Sequence, residues 1–217
     1  EKYKTIGVGR TDAMVSANSY YFQLLMFEEI DQSKFIQSFN SNLSQDIYCK
    51  SVKPLPQGFD LINCSKTKEY HYYFSFGKKA HPFSAPFITT VDEKLDIEKM
   101  KLGAKLFEGE HFFHKYCTKP SENTQFKRNI ELSEIVENTE FVASFFPEKS
   151  YVLKIKSKGF LRYQIRLIMA MLFDLGKGNV EIEFIRNSLL ENNDRKFLRS
   201  IAPASGLQLF HIALDIK

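Results

Sequence analysis

Three side chains in this sequence stand where chemistry is readily built. Asp12 closes the run Gly9-Arg10-Thr11-Asp12 in a turn-rich stretch between two hydrophobic segments. There a rigid scaffold can present a carboxylate as nucleophile or general base, although the same residue in the same place also serves simply to cap its own turn. Arg166 belongs to a helical stripe that continues one and two turns on as Met169 and Phe173. A guanidinium on such a stripe is half-buried and either finds an anionic partner or snorkels to water. Tyr70 opens a run in which Tyr70, Tyr72, Phe74 and Phe76 share one face by period two, so its plain reading is a core tyrosine.

Other chemistries lack their residues. There is no Gly-x-Ser-x-Gly elbow, P-loop or His-Glu-x-x-His, and Gly7-Val8-Gly9 is too short and wrongly followed for a dinucleotide fingerprint. His111 and His114 stand three apart near Glu108 and Glu110 without a third ligand at recognisable spacing, which reads as loop polarity and not as a metal site. Cys49, Cys64 and Cys117 are odd in number and far apart, the pattern of reduced thiols in a cytoplasmic protein. The expectation is chemistry with no cofactor and no metal.

The elements that must position these groups belong to an ordinary folded chain of 217 residues, 43% hydrophobic and 26% charged, whose 21 Phe and 10 Tyr make the core aromatic. Thirty Lys and Arg against 26 Asp and Glu give +4, which permits a polyanionic partner without demanding one. The apolar stretch around Leu167 to Phe173 is bounded by Arg166 and Asp174, too short for a membrane helix of about 20 residues. The start Glu1-Lys2-Tyr3-Lys4 has no secretory h-region.

Hydrophobic patterning predicts strands over 5–9, 19–27, 46–52, 59–64, 70–76, 126–135, 151–157 and 207–216. It predicts helices over 33–43 behind a Ser33 cap, over 92–107 ending at Gly109, over 160–175 opened by Gly159, and over 181–190. Residues 81–90 and 110–125 read as loops. The class is α+β, a mainly antiparallel sheet with helices on one face. Residues 1–65 form an N-terminal unit carrying the Asp12 loop, incomplete at its start, and residues 66–217 a C-terminal ferredoxin-like unit.

Five segments, in order, resemble one family. Gly9-Arg10-Thr11-Asp12-Ala13 is similar to the Gly-Arg-Thr-Asp-Ala loop of the TruA-type tRNA pseudouridine synthases, and Lys68-Glu69-Tyr70-His71-Tyr72 to their basic-x-Tyr-x-Tyr strand. Gly159-Phe160-Leu161-Arg162-Tyr163-Gln164-Ile165-Arg166 resembles their Phe-x-x-x-x-x-Arg helix. Leu106-Phe107-Glu108-Gly109-Glu110-His111-Phe112 resembles a Leu-x-Gly-x-His/Asn-Asp-Phe entry, and Ala202-Pro203-Ala204-Ser205-Gly206-Leu207-Gln208-Leu209 the Ala-Pro-x-x-Gly-Leu-x-Leu ending.

The resemblance implies two ferredoxin-like, RNP-like units in one extended mixed sheet around a catalytic cleft. It implies an isomerase that turns uridine into pseudouridine in tRNA, in or near the anticodon stem-loop, acting as a homodimer. Asp12, Tyr70 and Arg166 would be catalytic, with Arg166 holding Asp12 and Tyr70 packing against the base. Arg10, Thr11, Leu207 and Leu209 would bind the flipped nucleotide, and Lys66, Lys68, Lys127, Arg128, Lys158 and Arg162 the RNA backbone. Met14 and Ser16 stand where the family has Gly and His, so Met14 is strained if that position takes a positive φ. The altered loop admits a second reading, an RNA-binding protein of the same fold with impaired turnover. The family's opening strand, loop and helix have no counterpart in the sequence, and a further N-terminal strand and helix are expected in the complete protein.

Overall fold

The computed structural model describes residues 3–27, 30–191, 198 and 200–216; Glu1 and Lys2, part of the segment read above for an apolar h-region, lie outside them. The chain divides into two compact units. The smaller comprises Glu1–Arg10, Tyr21–Ser65 and Leu214–Lys217, the larger Thr11–Tyr20 and Lys66–Ala213. The Asp12 loop thus belongs to the larger unit.

In the smaller unit β1 (Tyr3–Gly7) and β3 (Phe22–Met26) pair antiparallel, and α1 spans Gln32–Asn42. The cap is Asp31 instead of Ser33: its carboxylate accepts from the backbone N–H of Ser33 at 3.0 Å and of Lys34 at 3.2 Å. A charged acceptor serving two orphan N–H groups at the positive end of the helix outcompetes a hydroxyl. Phe35 and Phe39 stack at 5.2 Å, and Phe39 reaches Phe22 at 5.9 Å.

The strands expected over 46–52 and 59–64 do not form. Asn40 donates to the Cys49 carbonyl at 3.0 Å and accepts from its N–H at 2.7 Å. Asp60 accepts from the N–H groups of Ile62 and Asn63 at 2.8 and 3.2 Å. Side-chain partners replace the ladder there and bend the chain into turns.

The larger unit is built on a seven-stranded sheet: β2 (Ser16–Ala17), β4 (Lys66–Phe76), β5 (Thr89–Val91), β6 (Gly109–Phe112), β7 (Lys127–Glu137), β8 (Tyr151–Ser157) and β9 (Leu207–Leu214). Its order is β2-β9-β4-β8-β7-β6, with β5 also on β4. The pairs β4/β8, β7/β8 and β6/β7 are antiparallel, and β2/β9 and β4/β5 parallel. A register shift between Ile130 and Leu132 interrupts β7.

Period two in β4 does set Tyr72 and Phe74 towards one helix, whose Phe173 lies 6.2 and 5.5 Å from their rings. The opposite face is no more exposed. His71 stacks on Phe210 at 3.8 Å, while Tyr73 packs with Ile88, Val152, Val136, Phe141 and Phe146. A strand buried on both faces needs no polar alternation.

That helix is α3 (Gln164–Gly176); α2 (Ile97–Lys105) packs on it and on β7, and α4 (Ile182–Ser188) follows. The stripe Leu161, Ile165, Ile168, Leu172 and Leu175 is buried as expected. Three boundaries differ. α2 begins after Asp96, which accepts from Lys99 N–H at 2.9 Å, and Gly109, at φ +95°, opens β6 instead of ending the helix. The helix placed after Gly159 starts only at Gln164, because Tyr163 is left-handed. The loop expected over 110–125 contains β6 and a 3-10 turn at His114–Tyr116. Among the described residues no helix is long and apolar enough to cross a membrane.

Gly206 joins the segment before β9 to β4. Its carbonyl accepts from Tyr73 N–H at 2.8 Å, and a Cβ there would sit 2.8 Å from the Tyr73 carbonyl oxygen and 2.6 Å from Thr89 Oγ1. Backbone cannot yield as a side-chain tip does. Gly206→Ala is therefore expected to destabilise the larger unit by about 1–3 kcal/mol in urea denaturation; a midpoint equal to the parent's would show that the segment can move aside.

Candidate active site

The turn carrying Asp12 is fastened to the sheet immediately downstream. Val15 N–H donates to the Asp12 carbonyl at 3.2 Å, Ser16 and Ala17 pair with Gln208 and Leu209, and Asn18 N–H donates to the Leu209 carbonyl at 2.9 Å. The carboxylate so placed meets the first turn of α3: Arg166 Nη1 donates to Asp12 Oδ2 at 2.9 Å. The side chains are 31% and 15% exposed, so the pair is partly shielded from water, where a charge-assisted hydrogen bond keeps more of its strength than on an open surface.

Arg166 is held elsewhere too. Its Nε donates to the Ala202 carbonyl at 2.7 Å, and Ala202 N–H donates to the Arg166 carbonyl at 3.1 Å. The segment bearing Ala202 is anchored by Tyr72, whose hydroxyl donates to the Pro203 carbonyl and pairs with Thr89 Oγ1, both at 2.9 Å. Burial raises the Tyr72 pKa, so this hydroxyl remains a donor at any ordinary pH.

Tyr70 is 9% exposed and meets Phe160 edge-on at 5.4 Å. Burial first, then the negative charge of Asp12 and the neighbouring Tyr20, push its phenol up to about 12. The hydroxyl is thus protonated at neutral pH and is a hydrogen-bonding group or a proton relay, not a standing base.

Phe160 also lines a cavity of about 420 Å³ together with Cys117, Lys119, Arg128, Leu161 and Arg162. Among the described residues its lining has cationic side chains and no acidic one, which suits a phosphate-bearing ligand.

Non-glycine residues with positive φ gather in these segments. Met14 has φ +68°, Tyr163 +62° and Lys119 +45°, at roughly 1–2 kcal/mol each for L-residues. Met14 is two residues from Asp12 and 74% exposed, so the strain foreseen for it is present and no packing offsets it. Strain of this kind tends to persist where function requires it.

The structure joins Asp12 to Arg166 and sets Tyr70 within reach of the Asp12 charge. Thr11 is exposed beside Asp12, while Arg10 falls in the smaller unit. Leu207 and Leu209 are buried on β9, with Leu209 opposite Ala17. Lys66 and Lys68 are half-buried at the start of β4, and burial, then Lys66, lowers the Lys68 pKa. Arg128 and Arg162 line the cavity and Lys158 is exposed. Lys127 is engaged with Glu110 at 2.7 Å, and the His111 ring bonds the Glu108 carbonyl at 2.8 Å. Sequence reasoning assigned no role to Tyr163 or to the Ala202 carbonyl. The Ala-Pro ending pointed to the second, while nothing in the residue types pointed to a left-handed tyrosine.

The chain matches the family described as tRNA pseudouridine synthase over residues 104–215. It is 32% identical over 212 residues to tRNA pseudouridine synthase A of Fervidobacterium nodosum, covering 96% of this chain and 81% of the relative. It is 31% identical over 206 residues to tRNA pseudouridine synthase A of Staphylococcus aureus strain MRSA252, covering 95% and 74%.

The strain at Met14 gives a test of the loop itself. Met14→Gly is expected to raise stability by about 0.5–1 kcal/mol, the relieved strain less glycine's extra freedom in the unfolded chain. Thermal and urea unfolding read the change, and a loss of stability would mean that the methionine side chain holds the turn.

Proposed function

The chain belongs to the tRNA pseudouridine synthase family, and we propose from that premise that it converts uridine to pseudouridine in tRNA at the Asp12, Arg166 and Tyr70 site. The observation that carries the reading is the 2.9 Å contact between Arg166 Nη1 and Asp12 Oδ2, partly shielded from water.

The reaction breaks the C1′–N1 bond, turns the uracil and forms a C1′–C5 bond; C5 loses a proton and N1 ends with one. Substrate and product hold the same atoms, so the conversion needs no net oxidant or co-reactant. Asp12 acts at the sugar or base as nucleophile or base, and Arg166 fixes its direction. Tyr70 lies against the uracil and, as a protonated phenol, relays the C5 proton. A stacked uridine hides the atoms that react, so the nucleotide is flipped. Arg10 fills the vacated space or binds its phosphate, Thr11 contacts the nucleotide, and Leu207 and Leu209 form an apolar wall.

Backbone contacts come from Lys66, Lys68, Lys127, Arg128, Lys158 and Arg162, with shape and phosphates outweighing base edges. The region of tRNA in or near the anticodon stem-loop is the target, and two copies of the chain act as a homodimer.

Asp12→Asn keeps the shape and removes the charge. Pseudouridine formed in tRNA is expected to fall by about 10³-fold or more with folding intact. An unchanged modification pattern from a normally folded variant would overturn the assignment. Incubation of the parent with 5-fluorouridine-containing tRNA separates turnover from mere binding, since rearrangement or trapping of the base requires chemical engagement.

A further inference from the structure

Tyr163 holds φ +62° immediately before α3, and its side chain makes no capping hydrogen bond to the helix. Left-handed backbone is normally left to Gly, Asn or Asp, and a bulky aromatic there is unusual. Because the sign of φ decides which way Cβ leaves the backbone, this conformation aims the ring. Its position is informative: the guanidinium carbon of Arg166 lies over the ring at 5.0 Å and that of Arg162 at 5.5 Å. Both distances are within the range of cation–π attraction.

We infer that Tyr163 is a positioning residue for Arg166. The guanidinium is planar, with its N–H groups directed outward in the plane and its faces unable to hydrogen-bond. The ring covers the Arg166 guanidinium while Nε is taken by the Ala202 carbonyl and Nη1 by Asp12. Those two in-plane bonds, at 2.7 and 2.9 Å, and the aromatic contact together leave the fork one orientation. The unfavourable backbone at Tyr163 is retained because relaxing it would swing the ring away from Arg166. This rests on the reading of Asp12 and Arg166 as the reacting pair.

Two substitutions in the full chain test it. Asn tolerates left-handed backbone and removes the ring, whereas Phe keeps the ring and removes only the hydroxyl. Tyr163→Asn is expected to melt at or above the parent temperature while kcat on tRNA falls on the order of tenfold and KM stays within about twofold. The ¹⁵N signals of the Arg166 guanidinium should broaden or merge in that variant as rotation is freed. Tyr163→Phe should keep the parent kcat within about threefold and the parent guanidinium spectrum.

Parent-like kcat and spectrum in Tyr163→Asn would overturn the inference. So would a fall in its melting temperature matching the activity loss, or an equal loss in Tyr163→Phe. Should the parent itself form no pseudouridine in tRNA, the functional reading fails separately, and the guanidinium spectra still decide whether the ring holds Arg166.

Discussion

A single charge-assisted hydrogen bond, 2.9 Å from Arg166 Nη1 to Asp12 Oδ2, joins an early turn to the first turn of α3 across 154 residues of sequence. Much of the larger unit serves to keep its two ends in register. β2 fastens the Asp12 turn to β9, and the segment entering β9 offers Arg166 the Ala202 carbonyl. Tyr72 and Gly206 tie that same segment to β4, which carries Tyr70. Loss of any tie leaves one charge half-buried without its counter-charge, a state more costly than the pair's net contribution to stability.

The burial that surrounds the pair sets its chemistry. Tyr70 is held as a neutral phenol because the phenolate would be both desolvated and repelled by Asp12. Raising a phenol's pKa on folding stabilises the native state fully below the ordinary value of 10.0, and that contribution is lost as pH rises from there towards about 12. At neutral pH the contribution is intact. Met14 and Tyr163 carry the opposite sign: their backbone strain opposes folding, and the exposed Met14 side chain does nothing to offset its share.

The sequence made the central elements legible where pattern and local chemistry agree. The buried stripe of α3, the strands β8 and β9 and the half-buried Arg166 follow from periodicity alone. Two expected strands failed because Asn40 and Asp60 supply side-chain partners that compete with a ladder, and hydrophobic patterning does not register such competition. Asp31 took the cap expected of Ser33 because a stronger acceptor stood two residues earlier. The left-handed Tyr163 was illegible for a different reason. Its conformation is imposed by what the ring covers in three dimensions, against its own propensity.

A double-mutant cycle in urea denaturation, comparing Asp12→Ala, Arg166→Ala and the double variant with the parent, isolates the pair from the other contacts each side chain makes. A coupling of about 1–3 kcal/mol is predicted for a shielded, charge-assisted bond. Additivity within about 0.3 kcal/mol would contradict the claim that this contact organises the site.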